Sequence, residues 1–160
     1  MARALPRLRT NLDFMPSPVP DRPGLMIRDP FRYSDTTLII PPPLVQCLEL
    51  FDGRRTELDL RAALVNITGD FRVGELVDNL VSTLSEAGFL EDEVYASLQQ
   101  QRHRAFQAAP VREATHAGSA YPDDPEVLRA TLDRCLDGAK PWQEPVLGVA
   151  APHVSPEGGW

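Results

Sequence analysis

The run "LIIPPPLVQCLELFDGRRTELDL", residues 38–60, decides what kind of fold this chain builds. Leu38–Ile40 favour a strand, because branched side chains suit a pleated, half-buried surface. Pro41, Pro42 and Pro43 end that strand, since none of them has an N–H to give to a ladder. Pro43 suits the first position of a helix, where the missing N–H costs nothing. Leu44, Leu48 and Phe51 then recur at i, i+4 and i+7, which predicts an amphipathic helix over "LVQCLELF". Asp52-Gly53 turns the chain. Thr56 stands as an N-cap with Asp59 three residues on, a capping-box-like pattern. The helix behind it is predicted to carry Leu58, Ala62 and Val65 on one face and to stop at Gly69.

Towards the N-terminus, "GLMIRDP" (24–30) and "TTLIIPPP" (36–43) are short β-prone runs around "FRYSD" (31–35). They predict a hairpin closed by Asp-Pro or Ser-Asp turn chemistry. Towards the C-terminus, Val73, Leu76, Val77, Leu80, Val81 and Leu84 form a wide apolar stripe that Gly88 ends. Phe89 and Leu90 then return to the core. Residues 24–92 therefore read as an α+β unit, a β-hairpin plus three helices, of winged-helix size. Residues 1–23 read as a proline-rich arm. Pro16, Pro18, Pro20 and Pro23 exclude a helix and favour extended backbone, as a tether, an edge-covering strap or a PxxP ligand for a partner. Residues 93–110 read as a polar connector helix with a sparse face of Tyr95, Leu98, Arg102 and Phe106. His103 on it reads as a solvated surface histidine.

Charge is unevenly placed. The chain carries −7 overall, yet residues 1–55 hold eight Arg against six acids. Residues 56–100 hold two Arg against nine acids. The acidic block falls on the helices that would otherwise read DNA, and duplex binding rests on phosphate neutralisation, so no nucleic-acid partner is expected. No apolar run reaches the roughly 20 residues a spanning helix needs, so no membrane association is expected. "MARALPRLRT" has no apolar h-region behind it, so no secretory signal is read and a cytoplasmic location is expected. Cys47 and Cys135 form no CxxC pair and read as small apolar residues in a reducing compartment.

The run 38–60, followed by "LVDNLVSTLSEAGFL" (76–90), resembles the PqqD-like family. That resemblance implies a small winged helix that takes an extended peptide as an added strand beside its third helix, often in the service of a radical-SAM protein. The physics is strand addition: an unpaired edge supplies backbone hydrogen bonds and a neighbouring helix supplies pockets. Leu38, Ile40, Leu76 and Leu80 are the corresponding groove candidates. The alternative is an accessory unit that only packs against the rest of its protein.

Residues 111–160 carry the sharpest motifs. "HAGSAYP" (116–122) precedes a predicted helix, capped by Asp123 or Asp124, opened by Pro125 and striped by Leu128, Leu132 and Cys135. "PVLGVAAPH" (145–153) then reads as a doubly buried parallel strand, with His153 at its carboxyl end, where open α/β sheets place their sites. These two motifs, in this order and spacing, resemble the Memo family, component B of the AmmeMemoRadiSam system. The resemblance implies the start of an α/β domain similar to non-haem iron extradiol dioxygenases. It implies His153 as a metal ligand, completed in the family by a later histidine and a later cysteine whose motifs this chain lacks. His116 either lines that site or hydrogen-bonds a loop, and Glu157 is the nearby carboxylate. Ala120 stands where the family usually has Trp, and Val154–Gly159 resembles one branch of it.

One strand and one helix cannot bury each other's apolar faces. The expectation is therefore an N-terminal piece of a longer protein. Iron, copper or zinc is expected only in the complete protein, and neither metal nor catalysis is expected for this chain alone. Two functions stay open: the front end of a metal-dependent redox or dioxygenase-like enzyme, or a peptide- or partner-binding module for a radical-SAM enzyme.

Overall fold

A computed structural model describes residues 3–112, 114–139, 147, 148 and 150. It is α+β, with one three-stranded antiparallel sheet and five α-helices among the described residues. The chain separates into two compact units, Met1–Ala109 and Pro110–Trp160.

The first unit is built on strands β1 (Asp13–Pro16), β2 (Leu25–Arg28) and β3 (Thr37–Ile40), in the order β1-β2-β3. β2 and β3 form the expected hairpin, with Leu25 opposite Ile40 and Arg28 opposite Thr37. The residues expected as a tether or an edge-covering strap do more than cover an edge. Phe14 pairs with Ile27 and Met15 with Met26, so the arm supplies a strand on the far side of β2. Further upstream, Leu5 donates its N–H to the Arg55 carbonyl, and Arg9 donates its N–H to Phe89. Leu5 and Leu12 are buried in the core. Proline spacing excluded a helix here. It did not reveal that Leu5, Leu8 and Leu12 anchor the extended backbone inside the unit.

After β3 the expected helix is shorter and tighter. A single α-turn, α1 (Pro42–Val45), passes into a 3₁₀ segment at Gln46–Leu50. Leu48 and Phe51 are still buried and Leu44 packs against the core, so the apolar spacing served packing in a different helical form. Asp52 then accepts the N–H groups of Arg54 and Arg55, both at 2.8 Å. Those bonds hold its carboxyl below the ordinary range.

Helix α2 (Glu57–Thr68) starts where its cap dictates. The Thr56 side chain and the Asp59 carboxylate form a reciprocal capping box, and Thr56 N donates to Asp59 Oδ2 at 2.7 Å. Of the face expected inside, Val65 packs against the core, while Ala62 and Leu58 are exposed, Leu58 to 63%. Leu60 and Leu64 are fully buried instead, with Ala63 and Ile67 packed beside them. Two stripes at i, i+4 compete on this helix, and the positions of α3 and the 3₁₀ segment choose between them.

Helix α3 (Gly74–Glu86) buries Val77, Leu80 and Leu84 as expected, and Phe89 and Leu90 behind it are fully buried. Gly88 takes a φ of +70°, and a Cβ there would stand 2.6 Å from Leu98 Cδ1. Leu98 lies on α4 (Glu93–Ala108), the helix read as a connector, which belongs to the first unit. Asp92 caps it by accepting from Tyr95 N, and Arg102 pairs with Asp35 in the loop after β2.

In the second unit, α5 (Pro125–Cys135) begins as the sequence says. Asp124 accepts from Glu126 N and Val127 N, and Pro125 opens the helix. The strand expected over 145–153 lies largely outside the described residues; those within it, Leu147, Gly148 and Ala150, are exposed and form no strand. No helix among the described residues is long and apolar enough to cross a membrane.

Candidate functional site

Three places in the structure bear on function. The first is the outer edge of β3. Among the described residues no strand pairs with that side of β3. Beside it lies a cleft of about 620 Å³ lined by Arg22, Pro23, Thr37, Leu38, Ile39, Pro41 and Pro42. Of the four groove residues read from sequence, Leu38 lines this cleft. Ile40 and Leu80 are buried in the core, and Leu76 is half-buried against it. The structure thus does not gather the four into one groove. The wall opposite β3 comes from the β1–β2 turn, through Arg22 and Pro23, and not from α3. Spacing along α3 gave no signal for that wall, because it depends on how the hairpin turn sits against β3.

The second place is the "HAGSAYP" turn in the second unit. The His116 carbonyl accepts from Ala120 N at 2.9 Å and from the Ser119 hydroxyl at 3.1 Å. Gly118 N donates to the Tyr121 carbonyl at 2.7 Å, with Gly118 at a φ of +76° that favours glycine. The backbone of His116 thus shapes the loop while its ring stays exposed. His153 and Glu157 lie outside the described residues. Among the described residues no three of His, Cys, Asp and Glu come together in a way that would hold a metal ion.

The third is a buried polar cluster that sequence reading missed. Arg9 is 2% exposed, yet each of its side-chain nitrogens has a hydrogen-bond partner, with Nε donating to Asn11 Oδ1 at 3.2 Å. Nη1 donates to Asp29 Oδ2 at 3.0 Å and to the Gly88 carbonyl at 2.9 Å, and Nη2 donates to Asp29 Oδ1 at 3.2 Å. Its guanidinium lies 4.1 Å from the Tyr95 ring centroid, a stacked cation over an aromatic face. Asp29 also accepts the N–H groups of Phe31, Tyr33 and Ser34. Burial pushes its carboxyl up, but Arg9 and the N–H groups of Phe31 and Ser34 outweigh burial and hold it below the usual value. Tyr33 meets Tyr95 edge-on, and its hydroxyl lies 3.3 Å from His103 Nε2. His103 is exposed, as expected, but it has this partner. The available hint was Asp29 before a proline. Nothing in the sequence spacing joined it to Arg9.

This cluster ties the arm, the β2–β3 loop, the end of α3 and α4 to one another. It positions the hairpin, and it opens to solvent at the exposed His103 and at Tyr33 and Ser34, which line a cleft of about 480 Å³ with Leu98 and Arg102.

No family model and no solved structure matches the chain. It is similar to a MEMO1 family protein of Aquifex aeolicus (strain VF5), with 27% identity over 129 residues. Those residues are 81% of this chain and 34% of the relative, so the chain spans about a third of the length of the relative it matches. The second unit has 51 residues, so at least 78 of the 129 matched residues lie in Met1–Ala109. The likeness therefore takes in most of the first unit, and it supports a relationship to the Memo family.

Proposed function

We propose that this chain is the front part of a Memo-type, metal-dependent redox protein linked to a radical-SAM system. In this reading the second unit opens the α/β domain and contributes His153 as a metal ligand. The first unit is a PqqD-like, winged-helix-type accessory domain that engages a partner or peptide. The observation that carries the proposal is the likeness to the MEMO1 family protein, which runs across both units. The ordered motifs at 116–122 and 151–153 support it.

The described residues do not by themselves fit a metal, because no three potential ligands converge among them. Iron and zinc sites of this kind need about three protein ligands meeting at one point. No chemical step is therefore assigned to these residues. The proposal is tested by metal analysis after desalting, on the 160-residue chain and on a protein extended to the relative's length. The extended protein is expected to hold one metal per chain and to lose it on His153→Ala. The short chain is expected to bind iron, copper or zinc no better than a stray surface histidine does. Tight, stoichiometric metal in the short chain would overturn the reading of an incomplete site.

A second reading, a non-catalytic peptide- or protein-binding module, is favoured by the unpaired β3 edge and its cleft. A duplex is not the expected partner of this module. Helix α3 presents Glu75, Asp78 and Glu86 and has no Lys or Arg, so it would repel phosphates. In a mobility-shift assay at low salt no duplex is expected to be retarded, and tight binding to any duplex would refute this.

A further inference from the structure

The β3 edge and its cleft carry one step more, which rests on the peptide-binding reading of the first unit. Backbone recognition by this edge has a sharp end. Every second residue of Thr37–Ile40 can offer its N–H and C=O to an added strand, since the others bond β2, over roughly 13 Å at about 3.3 Å per residue. Pro41, Pro42 and Pro43 follow and have no N–H to offer. Beyond Ile40 the edge can therefore only accept, and a side chain must supply any donor to a bound chain.

The residue placed to do so is Arg22. It lines the cleft beside Pro23, Pro41 and Pro42. Its end of the cleft is the Ile40 end, because a Cβ on nearby Gly24 would stand 2.2 Å from the Ile40 carbonyl oxygen. No other lining residue is titratable. Among the described residues no carboxylate lies within ion-pair distance of Arg22, and its sequence neighbour Asp21 does not line the cleft. A guanidinium at the end of an apolar cleft presents a fork that matches a carboxylate.

We infer that the cleft selects an extended apolar peptide carrying a carboxylate, with Arg22 binding that carboxylate where the proline run ends backbone pairing. Leu38 and Ile39 receive the apolar side chains, and Arg22 is the specificity-determining residue.

The probes are two labelled, C-terminally amidated peptides, Val-Thr-Val-Thr-Asp and Val-Thr-Val-Thr-Asn, whose last residue a strand added parallel to β3 sets at the Ile40 end, titrated into the full 160-residue chain. Binding is read by fluorescence anisotropy and by amide chemical shifts of Thr37–Ile40. The Asp peptide is expected to bind about two- to fivefold tighter than the Asn peptide, the range for an ion pair at an exposed guanidinium such as that of Arg22. Arg22→Gln is expected to abolish the preference and Arg22→Glu to reverse it, while both variants keep the shifts at Thr37–Ile40. Equal binding of the two peptides with those shifts intact would sink the role of Arg22 and leave the peptide-binding reading standing. Absence of shifts with both peptides would sink the reading itself. Edge shifts that appear without peptide and grow with protein concentration would show a second copy as the occupant and overturn the proposal.

Discussion

Arg9→Ala is expected to destabilise the first unit by about 3–5 kcal/mol, the range for removing one partner of a buried ion pair. The truncation leaves the Asp29 carboxylate, whose side chain is fully buried, without the guanidinium that neutralises it. It also leaves the Gly88 carbonyl without its Nη1 donor and the Tyr95 ring without its cation. Asp29→Ala is expected to cost at least as much, since it also frees the N–H groups of Phe31, Tyr33 and Ser34. Urea unfolding followed by far-UV circular dichroism measures both. A change below about 1 kcal/mol for Arg9→Ala would show that the cluster is not the tie it is taken to be. The same pair sets an acid limit. The Asp29 carboxyl titrates lower in the folded protein than in the unfolded chain. Its contribution is therefore fully present above the unfolded value of about 3.9 and is lost as pH falls through the folded value. Wild-type stability should decline below about pH 4 more steeply than that of Asp29→Asn.

Gly24→Ala is expected to cost about 3 kcal/mol and to move the β3 edge. Gly24 has a φ of +155°, in a region only glycine adopts freely, and a side chain there carries a strain of roughly 1–3 kcal/mol. The new methyl would stand 2.2 Å from the Ile40 carbonyl oxygen and 3.0 Å from its carbon. Those are backbone atoms of a paired strand and cannot rotate aside, so overpacking adds roughly 1–3 kcal/mol. Relief requires β2 and β3 to part at the Leu25–Ile40 pair. Amide shifts at Leu25 and Ile40, with a matched loss in unfolding free energy, would report this. Unchanged shifts and stability would mean that the close approach is not enforced.

The sequence by itself determined the elements whose causes are local. Thr56 with Asp59, and Asp124 with Pro125, fix helix starts through bonds spanning two or three residues. Gly69 and Gly88 end helices because the backbone there turns left-handed. The hairpin of β2 and β3 and the stripe of α3 follow from spacings of two and of three to four residues. What only the tertiary structure decided is everything whose partner is far along the chain. The burial of Leu60 and Leu64 in place of Leu58 depends on which side of α2 meets its neighbours. The arm became β1 because Met15 found Met26 across a turn, and Arg9 became core because Asp29 and Gly88, 20 and 79 residues away, complete its hydrogen bonds. The candidate cleft divides in the same way. Leu38 and the prolines were legible as a strand and its stop, whereas Arg22 and Pro23 reach the cleft only through the packing of one turn against another strand. Local hydrogen bonds leave a periodic signature in sequence, and a contact closed by folding of the whole unit leaves none.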